Sequence, residues 1–428
     1  MEILNNIISE GKKYGDVIVL KKNTNQVSTN FSKKEIKTTT EGNTTQLLIR
    51  ISKDKKFGYS TTSDFSKWKK CLMDAVNIMK ASKKLKHEIV LAKPQKFNTA
   101  EMIYSGRLKE LPTEKIVEKG YTIIKEMKKE FEIPVLSINK SFEETEIANS
   151  EGLFAKEKET SFSTMVEAKS GEISATDFKV SRDLFDPVYV GKEAEKLCLK
   201  CLNPKSIQTF RGSLILDYFA FAGFIENVII PAVSADEIHS KRSPLSNKIG
   251  EKVFSENFTV VDDGLMDKGL LSGSFDYEGT PYQKKVIFDK GVFKKPLYDI
   301  YSAKKDKTQS TGNCGGLDRI PSIRPTNFIV SPGDYSREEI ISDTKKGTLA
   351  TFAMGYHLIN QVTGDCSLGI ENSFYIENGE LKFPIKQAMV SFNLFEQLKK
   401  LEAIGKNLRQ ETSVVAPIVK FEDVQIIG

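Results

Sequence analysis

The sequence predicts an α+β fold in three parts: an N-terminal α/β meander, a middle α/β segment, and a β-rich C-terminal domain around a buried helix near residues 218–230. Three observations predict it. Stretches that alternate apolar and polar residues cluster in 16–62 and 135–180, as half-buried strands do. Segments with one apolar face at helical spacing border them. The third observation is the run 214–235, LILDYFAFAGFIENVIIPAVSA, apolar almost throughout. A helix apolar on all sides is buried in protein or in lipid. Asp217 and Glu226 interrupt this one and Pro231 ends or kinks it. It therefore lacks the roughly 20 clean apolar residues of a membrane span, and a protein core is expected.

The composition agrees with a globular chain. Its 428 residues suffice for two or three domains, and 39% hydrophobic with 28% charged residues is neither a disordered nor a membrane composition. The start, MEILNNIISEGKKYG, places Ile3, Leu4, Ile7 and Ile8 at helical spacing. It lacks the basic start and unbroken apolar core of an export signal, so a cytoplasmic location is expected. Five scattered cysteines suit a reducing compartment better than a disulfide framework. Cys198 and Cys201 form a C-x-x-C inside the helical run EAEKLCLKCL with no second pair, and read as two positions on a helix face. The net charge of +6 comes with dispersed lysines, without the basic and aromatic clusters of single-strand binders, so nucleic-acid binding is not expected.

In chain order, the first unit (1–95) is expected to hold strands over 16–32, 35–40 and 46–52, with a turn at Glu41-Gly42-Asn43, and a strand over 57–62. Ser63 and Asp64 then cap a helix with Phe65, Trp68, Leu72, Ala75, Val76 and Met79 on its apolar face. A polar linker, 93–112, leads into the second unit (96–205). There a helix begins at Thr113, strands follow over 135–138, 144–148, 154–167 and 173–180, and a helix spans 192–202. The third unit (206–428) adds a strand over 214–216, the buried helix and a strand over 258–261. Hairpins turn at Asp289-Lys290-Gly291 and Glu377-Asn378-Gly379, and Ser336 with Glu339 forms a capping box. A helix over 393–408 and a strand over 414–427 close the chain.

The chemistry turns on Glu226. A carboxylate in so apolar a helix is costly unless hydrogen-bonded, ion-paired or bound to a metal. Zinc-peptidase helices carry two histidines about a turn apart, with a glutamate beside the first to activate the metal-bound water. Here Ile225 and Ile230 stand where histidines would have to be, and neither ligates a metal. The three histidines, His87, His239 and His357, are far apart, and the last two read as surface or hydrogen-bonding residues. In the loop Ser310, Thr311, Gly312, Asn313, Cys314, Gly315 and Gly316, the glycines let the backbone approach another chain and offer N–H groups to a carbonyl or carboxylate. A tight connecting loop is the equal alternative. Asp262, Asp263, Asp276 and Glu278 read first as turn-capping residues, second as a cation site.

Several ordered motifs point the same way: EIKTTTEGNTTQLLIRI, KKFGYSTTSDFS, IANSEG, FDYEGTP, STGNCGG, VTGDCS, IENGELKFPI and the ending VQIIG. With them the chain resembles the TldD/PmbA family of peptidase subunits over nearly its whole length, and the PmbA (TldE) branch better than TldD. TldD has H-E-x-x-x-H on this helix and a cysteine near the C-terminus as third zinc ligand. Residues 225–230 keep only the glutamate, and 409–414, RQETSV, stands where the cysteine is expected. The resemblance implies that this chain has no catalytic residue, metal or cofactor of its own. Zinc would belong to a TldD-like partner in a heterodimer that cleaves short or unfolded peptides held as an added β-strand. The loop from Ser310 to Gly316, together with Thr363, Gly364 and Asp365, supplies the candidate peptide or partner contacts. Two further readings stay open: a self-sufficient metallopeptidase with a site of Asp, Glu and a scattered histidine, and a non-enzymatic peptide-binding or regulatory homodimer, the family having also been described as modulating DNA gyrase.

Overall fold

The computed structural model describes residues 2–428. Long antiparallel ribbons organise the first half: β1 (Asp16–Ser32), β2 (Glu35–Lys53), β3 (Lys56–Thr62), β4 (Leu136–Asn149), β5 (Phe154–Ser170) and β6 (Ile173–Ser181). They form one sheet in the order β3-β2-β1-β4-β5-β6, shared by residues on both sides of the 93–112 segment. Two tight turns drive the first ribbons. Lys33 and Lys34 have φ of 53° and 68°, and Asp54 and Lys55 have 52° and 65°. Paired left-handed residues give the turn whose twist matches flanking strands.

The turn expected at Glu41-Gly42-Asn43 does not form. β2 runs straight through it, with Gly42 opposite Gln26 and Asn43 opposite Asn25. A neighbouring strand along the whole length outweighs the local turn preference of three residues. For the same reason β4 is one strand across 139–143, since β1 and β5 pair with it on either side.

Period-two alternation gives this sheet two buried faces. Val17, Val19 and Val27 of β1 point to a helical layer: Glu2–Gly11 and Trp68–Ala81 at one end, Thr113–Glu126 and Val188–Lys200 at the other. Gly58 is required there, because a Cβ would lie 1.9 Å from the Ala75 carbonyl oxygen. Ile18 and Leu20 point the other way, and with Leu48 and Ile147 they pack against Phe275 and Leu317 of the C-terminal half. The 93–112 segment is pinned rather than loose: Ala100, Ile103 and Leu108 are buried, and Ser105 caps a short helix, Gly106–Lys109. The helix expected over 192–202 begins earlier, directly after Pro187.

The second half contains β7 (Phe210–Leu216), β8 (Val260–Asp263), β9 (Lys284–Asp289), β10 (Val292–Phe293), β11 (Asn327–Val330), β12 (Lys346–Met354), β13 (Asp365–Glu377), β14 (Glu380–Pro384), β15 (Ala388–Asn393), β16 (Ala403–Ile404), β17 (Arg409–Gln410), β18 (Val414–Ala416) and β19 (Val419–Ile427). One sheet runs β10-β9-β8-β11-β18-β17. The other runs β12-β7-β19-β15-β13, and β12 pairs back with β13, so these strands close on themselves. The expected closing strand is two strands in two sheets, split at Pro417, which has no N–H for a ladder. The expected final helix stops at Lys399, because Ala403 and Ile404 pair with β19 instead. The hairpin turns at Lys290-Gly291 and Asn378-Gly379 and the Ser336–Glu339 capping box form as expected.

The apolar run lies between these two sheets. Phe221, Phe224, Val228 and Ile229 pack with Val260, Phe288 and Phe328 on one side and with Leu368, Val390 and Phe421 on the other. Asp217 caps the helix Tyr218–Phe224, accepting from the Tyr218 N–H at 2.9 Å. The helix then widens: Ile225–Ile229 is a π-helical turn, and the Ile230 N–H reaches back to the Ile225 carbonyl. This wide turn comes just before Pro231, whose ring would crowd the carbonyl four residues back in a regular helix. No helix among the described residues is long and apolar enough to cross a membrane.

Candidate functional site

Glu226 leaves the wide turn toward a cleft of about 200 Å³ whose far wall is the segment linking β17 to β18. The Ser413 hydroxyl donates to Glu226 Oε1 at 2.7 Å across 187 residues of chain. That bond answers the cost of placing a carboxylate in an apolar helix. One wall is aromatic: Phe219 stacks between Phe178, at 4.5 Å, and Phe352, at 5.1 Å. The Arg409 guanidinium lies 4.4 Å from the centre of the Phe219 ring, a cation–π contact. Arg409 also pairs with Asp177 at 2.8 Å and Glu411 at 2.9 Å, and Glu411 accepts the Val180 N–H of β6 at 2.6 Å. Burial raises the pKa of both carboxyl groups, opposed by the guanidinium between them.

Tyr356 closes the cleft from the side. Its hydroxyl donates to the Ala220 carbonyl at 2.8 Å, and burial raises its pKa. The ring lies so close to the helix that a Cβ on Gly223 would come within 2.2 Å of it. The cleft-facing helix positions are Ala222, Gly223, Glu226 and Asn227. Of the trio Ile225, Glu226 and Ile230, only Glu226 lines the cleft. Ile225 is fully buried in the core and Ile230 packs against it. Residues three and four apart share a helix face, so reading outward from Glu226 at that spacing would have found Ala222 and Gly223 in the sequence.

Comparison with known proteins decides the family. The C-terminal, central and first domains of the PmbA/TldA metallopeptidases match residues 209–428, 106–202 and 22–81. The chain belongs to the PmbA/TldD family. A Methanocaldococcus jannaschii protein, MJ0231, is 30% identical over 426 residues, 98% of each chain. The metalloprotease PmbA homolog of Buchnera aphidicola is 28% identical over 287 residues, 65% of this chain and 62% of the homolog. Among solved structures, TldE from Thermococcus kodakarensis has a TM-score of 0.89 at 25% identity, with both chains covered completely. A Thermotoga maritima protein named for a proposed role as modulator of a DNA gyrase has the same fold, with a TM-score of 0.89 at 24% identity and 99% of each chain covered. The chain is thus metallopeptidase-like and of the PmbA/TldE type.

In this PmbA/TldD-family chain the loop from Ser310 to Gly316 is internal. Thr311, Gly312, Asn313, Cys314 and Gly316 are buried, Ser310 and Gly315 half-buried. Asn313 donates to Asp262 and to the Arg324 carbonyl, both at 2.9 Å, and Lys285 pairs with Asp262 at 2.8 Å. Asp276 accepts the backbone N–H groups of Glu278, Thr280 and Cys314, each at 2.9 Å. Glu278 pairs with Arg50 of β2 at 3.0 Å. The carboxylates thus cap turns and tie the two halves together, and the buried loop residues are not open to a peptide or partner in this structure. Gly312, at φ 69°, is required where a Cβ would lie 2.4 Å from the Pro281 carbonyl oxygen. The buried Cys314 thiol donates to the Gly316 carbonyl, and its pKa is raised well above the usual thiol value, the reverse of an activated nucleophile.

Thr363 and Asp365 are exposed, while Gly364 is buried under Phe395. Their loop is fixed by the bond from Thr363 to Asp365 at 2.6 Å and by Asn393 donating to Asp365 at 2.9 Å. His239 bonds Asp306 at 2.8 Å. Cys198 and Cys201 are buried free thiols.

Proposed function

We propose that this chain is the non-zinc subunit of a peptidase, paired with a TldD-like subunit that carries the metal. The observation that carries the reading is the Ser413–Glu226 bond, which joins residues 225–230 to residues 409–414, the two segments that the resemblance aligns with the zinc-bearing segments of TldD. The described residues lining that cleft include no histidine or cysteine, and its carboxylates are engaged by Ser413, Arg409 and the Val180 N–H. Zinc takes nitrogen and thiolate ligands, with an open position where it is catalytic. A donor set of occupied carboxylates beside a guanidinium does not fit it.

The substrate in this reading is an extended peptide. β6 is the outer strand of the first sheet, and hollows of about 420 and 810 Å³ lie along it, both touching Thr176 and Phe352. The smaller continues into the Glu226 cleft past Phe219 and Arg409. An unpaired strand edge beside a groove takes an extended peptide by main-chain pairing, which accepts many sequences. Glu411 and Arg409 occupy the Val180 N–H and the Phe178 carbonyl there, which guards the edge when no strand is added. Five free cysteines accord with a cytoplasmic location.

Co-expression with a TldD-like subunit and metal analysis of the separate chain test the proposal. The expected result is a stable heterodimer that cleaves unstructured peptides, while the isolated chain holds no stoichiometric zinc and cleaves nothing. Stoichiometric zinc in the isolated chain, lost in Glu226→Gln, would establish the self-sufficient enzyme instead. A homodimer that persists when the partner is present would establish the regulatory reading.

A further inference from the structure

Glu226 is only half used by the contacts that hold it. The Ser413 hydroxyl occupies Oε1, whereas Oε2 takes no hydrogen bond among the described residues and is not sealed from solvent. Asn227 repeats the arrangement. Its amide nitrogen donates to the Gly223 carbonyl at 2.9 Å, while its carbonyl oxygen takes no bond and is likewise not sealed off. Both side chains are half-buried, and both line the cleft of about 200 Å³. Consecutive residues of a regular helix do not face one another, but these two sit in the π-helical turn Ile225–Ile229 and share the cleft.

The charged side chains that line the cleft are Glu226, Glu411 and Arg409. Arg409 is matched by Glu411 and, from outside the cleft, by Asp177. The charge left without a counter-ion is therefore the carboxylate of Glu226. Phe219, Phe352, Tyr356 and Val414 supply apolar walls. An apolar-walled cleft with two bare acceptors suits a long apolar stem tipped by hydrogen-bond donors. The cleft is also within reach of a peptide laid along β6, because Tyr218, Phe219, Phe352 and Arg409 line both it and the hollow of about 420 Å³ beside that strand.

We propose that this cleft receives a lysine side chain of the extended peptide, its ammonium on Glu226 Oε2 and Asn227 Oδ1. The inference rests on the peptidase reading and names the residue that its peptide site selects. Lysine suits the cleft better than arginine does. With Ser413 holding one carboxylate oxygen, Glu226 does not present the free pair of oxygens that a guanidinium fork takes. An ammonium is a compact point charge with three donors, and one carboxylate oxygen beside one amide oxygen satisfies it. The methylene stem lies against Phe219, Phe352 and Val414. The volume of about 200 Å³ is below the roughly 300–1,000 Å³ of pockets for whole ligands, as expected for a site that takes one side chain.

Fluorescence anisotropy of the intact chain with labelled, end-blocked peptides tests this at about pH 7, where a lysine ammonium is charged. The peptides are alike except for one central residue: lysine, its uncharged analogue norleucine, arginine or glutamate. The lysine peptide should bind at least about tenfold more tightly than the norleucine and glutamate peptides, and more tightly than the arginine peptide. Glu226→Gln should bring it to the norleucine level, while Glu377→Gln, at an exposed acid outside the cleft, leaves the preference unchanged. Circular dichroism checks that the variants are folded, and the peptide series on the unaltered chain decides the matter without them. Lysine binding no tighter than norleucine overturns the proposal, as does the absence of any peptide binding at millimolar concentration. Arginine binding as tightly as lysine, or a lysine preference kept in folded Glu226→Gln, does the same. Giving the same peptides to the heterodimer separates this inference from the peptidase reading. Cleavage indifferent to lysine upholds the peptidase and overturns the lysine site; a lysine preference in binding without any cleavage upholds the site and overturns the peptidase.

Discussion

Gly223 and Tyr356 show how a single atom sets the shape of the cleft beside Glu226. Gly223→Ala adds a Cβ where only 2.2 Å separates it from the Tyr356 ring, so the ring must leave the helix and its bond to Ala220. The expected cost is about 1–3 kcal/mol in denaturant unfolding. In the Tyr356→Ala background the same change should cost almost nothing; an equal cost in both would place the strain elsewhere. Glu157 gives a pH signature. Burial raises its carboxyl from 4.5 to about 7, against the lowering hydrogen bond from Ser274. A raised folded pKa means that the contribution to stability is fully present below about pH 4.5 and is lost as pH rises through about 7. The loss should approach about 3 kcal/mol by pH 8, at about 1.4 kcal/mol per pH unit. Unfolding free energies at pH 5 and pH 8 check this, with Glu157→Gln expected to remove that part of the slope. Neither residue was legible as special in the sequence, because what singles each out is a neighbour 133 and 117 positions away.

At the scale of elements, local signals served well where the chain contacts itself nearby and failed where a distant strand intervened. The Lys290-Gly291 and Asn378-Gly379 turns and the Ser336 cap depend on residues within a few positions, and all formed. The Glu41-Gly42-Asn43 turn had equally good local chemistry but lost to pairing with β1. That difference is testable, since Gly42 sits in an extended strand with open space where a Cβ would go. Gly42→Thr should therefore stabilise the fold by about 0.5–1 kcal/mol in thermal or denaturant unfolding. A destabilisation would mean that the turn, not the strand, is populated in solution. The central helix shows both cases together: its burial follows from composition, whereas its π-helical turn and the face it offers to the cleft follow from packing between two sheets and from Pro231.

For the molecule as a whole, the junction between its halves centres on Arg50 and Glu278, with side chains only 1% and 3% exposed. Removing one partner of such a pair strands the other charge in the interior. Glu278→Gln should cost about 3–5 kcal/mol in global unfolding, with hydrogen-exchange protection lost first where the 275–281 loop meets β2. Arg50→Met combined with Glu278→Leu should recover most of that cost; a double variant no better than the single would show that the ion pair is not what joins the halves. The motifs FDYEGTP and STGNCGG were readable as a family mark but not as this junction, because their partners, Arg50 among them, lie in another part of the chain.

The sequence by itself determined the α+β class, the buried helix, the family resemblance and the isoleucines on either side of Glu226, since each depends on composition, short-range spacing or residue identity. Only the tertiary structure decided that one sheet spans the first two units, that the glycine loop is internal, and that Ser413 meets Glu226. Those are contacts between residues far apart along the chain, and a linear pattern holds no record of which distant side chain fills the space beside a given one.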